Sequence, residues 1–178
     1  MRTLVKTESL PRRASTWFVL LLAVTGCGYQ LTGQPGTIPT NLRSISVPIF
    51  VNGTPVPGLE HLFTTAVRQQ LQRDGRVRLG TDATATARLR GEVTRYDIQV
   101  LATNPDDFVL EYRVETEVRV TVEDRQQGTI ILRQAVAVTT EYVVTERLVP
   151  TDIARERALH SAAHDAGERV VSLLLDRF

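Results

Sequence analysis

Three histidines, one cysteine and a scattering of carboxylates are the groups in this 178-residue chain that a reactive centre would draw on. His160 and His164 stand four positions apart in a stretch of helical pattern, so both rings could reach one metal ion. The zinc-protease version of that spacing has Glu directly after the first His, where this chain has Ser161-Ala162-Ala163. No third ligand follows from spacing, and two surface histidines are the plainer reading. His61 is alone on an earlier helix. Asn52-Gly53-Thr54 matches a glycosylation acceptor pattern but reads as a turn, and Asp106-Asp107 reads as a solvated loop pair. There is no Gly-rich phosphate loop and no nucleophile elbow. An enzyme is therefore not expected, and neither a catalytic residue nor a metal site is assigned.

Cys27 is different because of its position. Arg2, Lys6, Arg12 and Arg13 precede an apolar run, Trp17 to Val24, which ends at Thr25-Gly26-Cys27. A basic start, a short apolar core and small residues describe a secretory signal. A spanning helix needs about 20 apolar residues, far more than this run supplies. Val24-Thr25-Gly26-Cys27 resembles the lipobox of bacterial lipoproteins. That resemblance implies cleavage before Cys27, a diacylglycerol on its thiol and a further N-acyl chain. Several chains hold a protein firmly where one holds it marginally. No other cofactor is expected. Gly28 in place of Asp favours the outer membrane by the enterobacterial sorting rule. A lone cysteine also excludes a disulfide framework within the monomer.

Charge narrows the partners. Residues 1–26 hold four of the 21 basic residues and one of the 20 acidic ones, leaving 17 against 19. A domain this close to neutrality has no bulk electrostatic reason to bind nucleic acid. Every basic residue after Lys6 is arginine, which genomic base composition or selection for bidentate anion contacts would each produce.

The elements that must position these groups follow from periodicity. Residues 28–42 are rich in Gly, Pro and Thr and read as a tether. Ser44 to Phe50 alternates as a strand, and Pro48 puts it at an edge or a bulge. Leu59, Leu62, Phe63, Ala66, Val67 and Leu71 recur at helical spacing up to Asp74-Gly75. Arg76 to Leu79 is a short extended piece. In the next strand Leu89 and Val93 share a face, whereas Tyr96, Ile98 and Val100 have the opposite parity, so a bulge is expected near Thr94-Arg95. Phe108, Leu110, Tyr112, Val114, Val118, Val120 and Val122 face one way and Glu111 to Glu123 the other, a strand apolar on one face and charged on the other. After a turn at Gln126-Gln127-Gly128, Ile130, Leu132, Val136, Val138 and Tyr142 form a third such face.

Behind Pro150, Thr151 or Asp152 can cap a last helix. Its inward stripe is Ile153, Leu159, Ala162, Ala163, Ala166, Val170 and Leu173-Leu174. The order β-α-β-β-β-α predicts an α+β two-layer sandwich, a four-stranded mixed sheet with two helices packed on one face. Strand parity sets Arg88, Arg90, Arg113, Arg119 and Arg133 on the uncovered face beside several Glu. Mixed charge there keeps an exposed sheet soluble, and it could also meet a polar, anionic partner.

Cys27-Gly28-Tyr29-Gln30-Leu31, Ile45 to Thr54, Pro57-Gly58-Leu59-Glu60 and Ala83 to Val93 occur in an order and spacing that resembles the LptE family of lipopolysaccharide-assembly lipoproteins. So does the closing helix with Ala158-Leu159, Ala162-Ala163 and Val170-Val171. The resemblance runs over residues 27–178. It implies three parts: a signal peptide over 1–26, a lipidated tether over 27–42 and one domain over 43–178. It also implies a lipid-anchored protein of the outer membrane, facing the periplasm, that sits in the lumen of the LptD β-barrel. There it would help the barrel assemble and help deliver lipopolysaccharide to the cell surface. Arginine forks suit lipid A phosphates, which makes Arg88, Arg90, Arg113, Arg119 and Arg133 lipopolysaccharide-binding candidates. The strand–loop–helix from Ile45 is also similar to the first module of TolB-like and curli-secretion lipoproteins, so scaffolding in another envelope complex is the alternative.

Overall fold

The computed structural model describes residues 39–106, 108–144 and 151–176. Cys27, the signal segment, nearly all of the tether and Asp107 lie outside the described residues. The packed chain takes in the end of the tether stretch, where Thr40–Leu42 make a 3-10 turn and Leu42 is fully buried. Strand β1, Ser44–Ser46, follows, and Pro48 interrupts the extended chain before β2, Val51–Asn52. Helix α1 spans Leu59–Asp74. Its first turn lies against Asn52, whose side-chain amide donates to the Val56 carbonyl at 2.7 Å and to Glu60 Oε2 at 2.8 Å. Asn52 Oδ1 accepts from the Thr54 backbone at 3.0 Å and its hydroxyl at 2.8 Å. Asn52-Gly53-Thr54 is thus a turn that spends its polar groups on the entry to α1. Gly75, at φ +72°, ends the helix by returning its N–H to the Leu71 carbonyl.

Strand β3, Arg78–Leu79, precedes three long strands: β4, Ala87–Thr103; β5, Val109–Asp124; and β6, Ile130–Val143. Helix α2, Thr151–Leu175, closes the fold. The sheet runs β3-β1-β4-β5-β6, with β2 also paired to β4. β1 and β2 are both parallel to β4, whereas β4, β5 and β6 are successively antiparallel. The predicted α+β architecture stands, but the sheet has six strands and not four. The two extra strands are Val51–Asn52 and Arg78–Leu79. Arg78–Leu79 lies within the short extended piece expected over Arg76 to Leu79, but a two-residue ladder is too short to show a period of two, so alternation could not mark either as a strand of the sheet.

The bulge expected near Thr94-Arg95 is present as a register shift between Val93 and Arg95. Ahead of it Leu89 and Val93 point into the core, and beyond it the inward parity passes to Tyr96. The core lies between sheet and helices, built on Phe63, Val67 and Leu71 of α1, on Ala162, Ala163, Ala166, Val170 and Leu174 of α2, and on the valines of β5. Small residues let the helices approach closely, and a Cβ on Gly167 would come within 3.1 Å of the Ala66 backbone. Two residues of the expected α2 stripe fall outside the core, Ile153 at 43% and Leu173 at 37% exposure. Ile130 is likewise 51% exposed, because a register shift beside Glu123 takes it out of phase with Leu132.

Asp124 closes the β5–β6 hairpin from a buried position. Its carboxylate accepts from Asn41 Nδ2 at 2.8 Å and from the backbone N–H groups of Gln126 and Gln127 at 2.8 and 3.1 Å. The Asn41 hydrogen bond, and then the Gln127 and Gln126 amides, hold its pKa below the usual carboxylate value. A folded pKa below the unfolded one, about 3.9, gives stability that is present above that pH and lost as pH falls through the folded value. Asp124→Asn should therefore melt at a lower temperature than the parent at pH 7. The gap should close as pH is lowered through the carboxylate range, and thermal melts by circular dichroism across pH 2–7 would show it.

Candidate functional site

The helices cover one face of the sheet and leave the other open, and strand register fixes which residues share that open face. Cross-strand rows run Arg88 to Glu123, then Arg90 to Thr121 to Arg133, then Glu92 to Arg119 to Ala135. After the bulge they continue Arg95 to Glu117 to Ala137, Asp97 to Glu115 to Thr139, and Gln99 to Arg113 to Glu141. All five candidate arginines stand on this face, as strand parity predicts. Arg88, Arg90, Arg119 and Arg133 lie in three adjacent rows. Arg113 sits six residues along β5 from Arg119, about 20 Å at the rise of an extended strand, so it does not join the others.

Most of these guanidinium groups already have carboxylate partners. Arg88 meets Asp82 at 3.1 Å, Arg90 meets Glu123 at 3.2 Å, and Arg113 meets Glu141 at 2.7 Å. Arg119 lies 3.7 Å from Glu92 and 3.9 Å from Glu117. Arg133 has no ion pair among the described residues. Exposed pairs of this kind contribute about 0–1 kcal/mol each, so an incoming anion displaces them at little cost. The row Arg90–Thr121–Arg133 is the best-formed anion cradle, with two cations flanking a hydroxyl. Arg95 belongs to the same face. Parity counted from Leu89 points it inward, and only the bulge turns it out, so the phase break was the signal that could have found it.

At the far end of the sheet the character changes. Tyr112 and Tyr142 stack with centroids 5.2 Å apart over a small cluster with Val114 and Ala158. Burial pushes the Tyr142 and Tyr96 hydroxyls above their ordinary pKa. At and beyond the tyrosines the β4–β5 hairpin exposes Val100, opposite Tyr112, at 53% and Phe108 at 57%, with Ile98, Leu110 and Val143 nearby. The arginines stand on the open face, whereas Ile98 and Val100, opposite Val114 and Tyr112, take the helix-side parity with Leu110, so the charge and most of the bare apolar side chains lie on opposite faces of the sheet.

The histidines are not brought together into a metal site. His160 and His164 line a shallow groove against α1 with Leu62, Gln69 and Arg73. His164 lies 3.8 Å from Glu168, and His61 lies 3.8 Å from Glu60 on the other helix. Among the described residues no cluster of three or more potential ligands occurs, and no helix is long and apolar enough to cross a membrane.

The fold has relatives among solved structures. Rare lipoprotein B from Shewanella oneidensis superposes with a TM-score of 0.53 at 17% identity, covering 74% of this chain and 92% of its own. A minor lipoprotein from Acinetobacter baumannii gives 0.51 at 15%, covering 76% and 95%. Lipoprotein B from Nitrosomonas europaea gives 0.50 at 11%, covering 82% and 92%. At these identities the likeness shows the fold alone. No curated protein matches the sequence. The family model for LptE, lipopolysaccharide-assembly, matches residues 42–174. That span is well over half of the chain and takes in all six strands, the whole of α1 and all but the last residue of α2, so the chain belongs to the LptE lipopolysaccharide-assembly family.

Proposed function

We propose that this chain is a non-catalytic outer-membrane lipoprotein, anchored through lipid on Cys27, that partners and plugs an LptD-type β-barrel. In that place it assists assembly of the barrel and delivery of lipopolysaccharide to the cell surface. The observation that carries the reading is the family match over residues 42–174. The geometry supports it. The lumen of a large barrel is polar, and a plug needs a polar skin such as the open face of β4, β5 and β6. The arginine rows suit the phosphates of lipid A.

Isolation of the intact lipoprotein from membranes of its host, with its neighbours, tests the reading. A large β-barrel protein should come with it. A complex built from this chain alone, with no barrel in it, would overturn the proposal. The arginines have their own test in lipopolysaccharide binding to the purified protein. Replacing both Arg90 and Arg133 with Glu should weaken binding at least tenfold, since each charge-assisted hydrogen bond is worth about 1.5–3 kcal/mol. Arg113→Glu should cost much less, because its guanidinium is held by Glu141 and stands apart from the others. Equal affinities for all three proteins would remove the open face from the lipopolysaccharide site.

A further inference from the structure

One edge of the sheet is short: β3 has two residues, and Pro48 breaks the chain between β1 and β2. The other edge is β6, 14 residues long, with no described strand beyond it. It contains neither proline nor lysine, the residues with which proteins commonly blunt an exposed edge.

The hydrogen-bond phase of β6 is fixed by two contacts. Val144 N–H donates to the Leu110 carbonyl at 2.8 Å, so even-numbered positions back to Leu132 exchange hydrogen bonds with β5. Odd-numbered positions therefore turn their peptide groups outward. Arg169 agrees: it reaches from α2 to donate to the outward carbonyl of Ala137 at 2.7 Å. The outward set is Arg133, Ala135, Ala137, Thr139 and Glu141, and all five side chains are exposed on the open face.

That set is self-complementary. Arg133 and Glu141 lie four residues either side of Ala137, with only small side chains between them. We propose that a second copy of this chain pairs antiparallel along β6, about a two-fold axis at Ala137. In this register Ala137 faces its own copy, Ala135 faces Thr139, and Arg133 faces Glu141 at both ends. All five facing pairs present peptide groups to each other, as hydrogen-bonded antiparallel pairs require. At the axis, the two Ala137 residues exchange N–H···O bonds in place of the Arg169 contact. Beside the edge runs a groove of about 600 Å³ between β6 and the end of α2, lined by Ala135, Ala137, Glu168, Arg169, Ser172 and Leu173. The two-fold brings the same groove of the second copy alongside it, and the half-exposed Leu173 gains cover. An isologous contact of this kind closes on itself and leaves no free edge to propagate. The pairing does not depend on the barrel reading, since it follows from the edge alone.

Cysteine cross-linking of the full lipoprotein, purified in detergent under mild oxidant, tests the register. The parent, whose one cysteine is Cys27, is the background. Facing Cα atoms in a hydrogen-bonded pair are about 5.5 Å apart, within disulfide reach. Ala137→Cys should therefore give a covalent dimer. Ala135→Cys should not cross-link to itself, because its copies lie about 13 Å apart along the strands, but should cross-link to Thr139→Cys when the two proteins are mixed. Arg133→Glu, which sets like charges opposite each other, should cut the Ala137→Cys dimer yield several-fold. Absence of the Ala137→Cys dimer, self-linking of Ala135→Cys in preference to it, or a yield indifferent to Arg133→Glu would each overturn the proposal.

Discussion

Gly91→Val should cost this domain more stability than any other single substitution on β4. A Cβ at Gly91 would lie 2.5 Å from Cδ2, Cε2 and Cζ of Phe50, far inside van der Waals contact. Phe50 cannot step aside. It is 3% exposed, and its backbone N–H is held by the Thr64 hydroxyl of α1 at 2.9 Å. Glycine normally weakens a strand, and an aromatic ring laid over it restores the lost cover. Overpacking of a closed core costs about 1–3 kcal/mol for modest insertions, so Gly91→Ala should lose about 2–3 kcal/mol and Gly91→Val more. Denaturant midpoints give the values. The contact also has a signature: Phe50→Ala combined with Gly91→Ala should lose less than the sum of the two single changes by over 1 kcal/mol, as expected for touching residues. Simple additivity would show that the ring does not rest on the glycine.

Phe63→Ala is the second large effect. Phe63 is fully buried on α1, facing the sheet, and is among the largest side chains in the core. Truncating a buried Phe costs about 3–5 kcal/mol, as lost transfer energy and as a cavity that neighbours fill only in part. That is a large fraction of the 5–15 kcal/mol of a typical domain. Ile153→Ala, on the exposed side of α2 at 43% exposure, should change stability by less than about 0.5 kcal/mol. Paired denaturation curves compare them directly. A small loss at Phe63 would mean that α1 is not seated on the sheet as described.

Both residues show what could be read ahead of the structure. Phe63 was legible because helical periodicity survives in a stretch of 16 residues. The long charged-and-apolar strands were legible for the same reason, as was the bulge, since a change of parity is itself a sequence signal. The Gly91–Phe50 contact was not legible: it joins residues whose meeting depends on β2 lying parallel beside β4, and a two-residue strand leaves no pattern. Ile130 and Leu173 were misplaced where a register shift and a helix edge rotate them off the core. At the candidate site, parity was enough to set five arginines on one face. It could not show that Arg113 is remote or that most are paired with carboxylates, whereas Arg95 was within reach of the sequence once the bulge is counted.

The reach of the β4–β5 hairpin beyond the tyrosine stack has a consequence for motion. Around Val93 and Val118 the sheet is clamped under two helices, whereas past Tyr112 the ladder is held by its hydrogen bonds and by apolar side chains that remain half wet. Free energies of local opening should therefore grade along the strands. Amide exchange should approach the global limit near Val118 and run orders of magnitude faster around Leu101 and Phe108. The domain is a firm grip with a yielding fingertip, and the fingertip can refit itself against whatever it touches without loosening the grip.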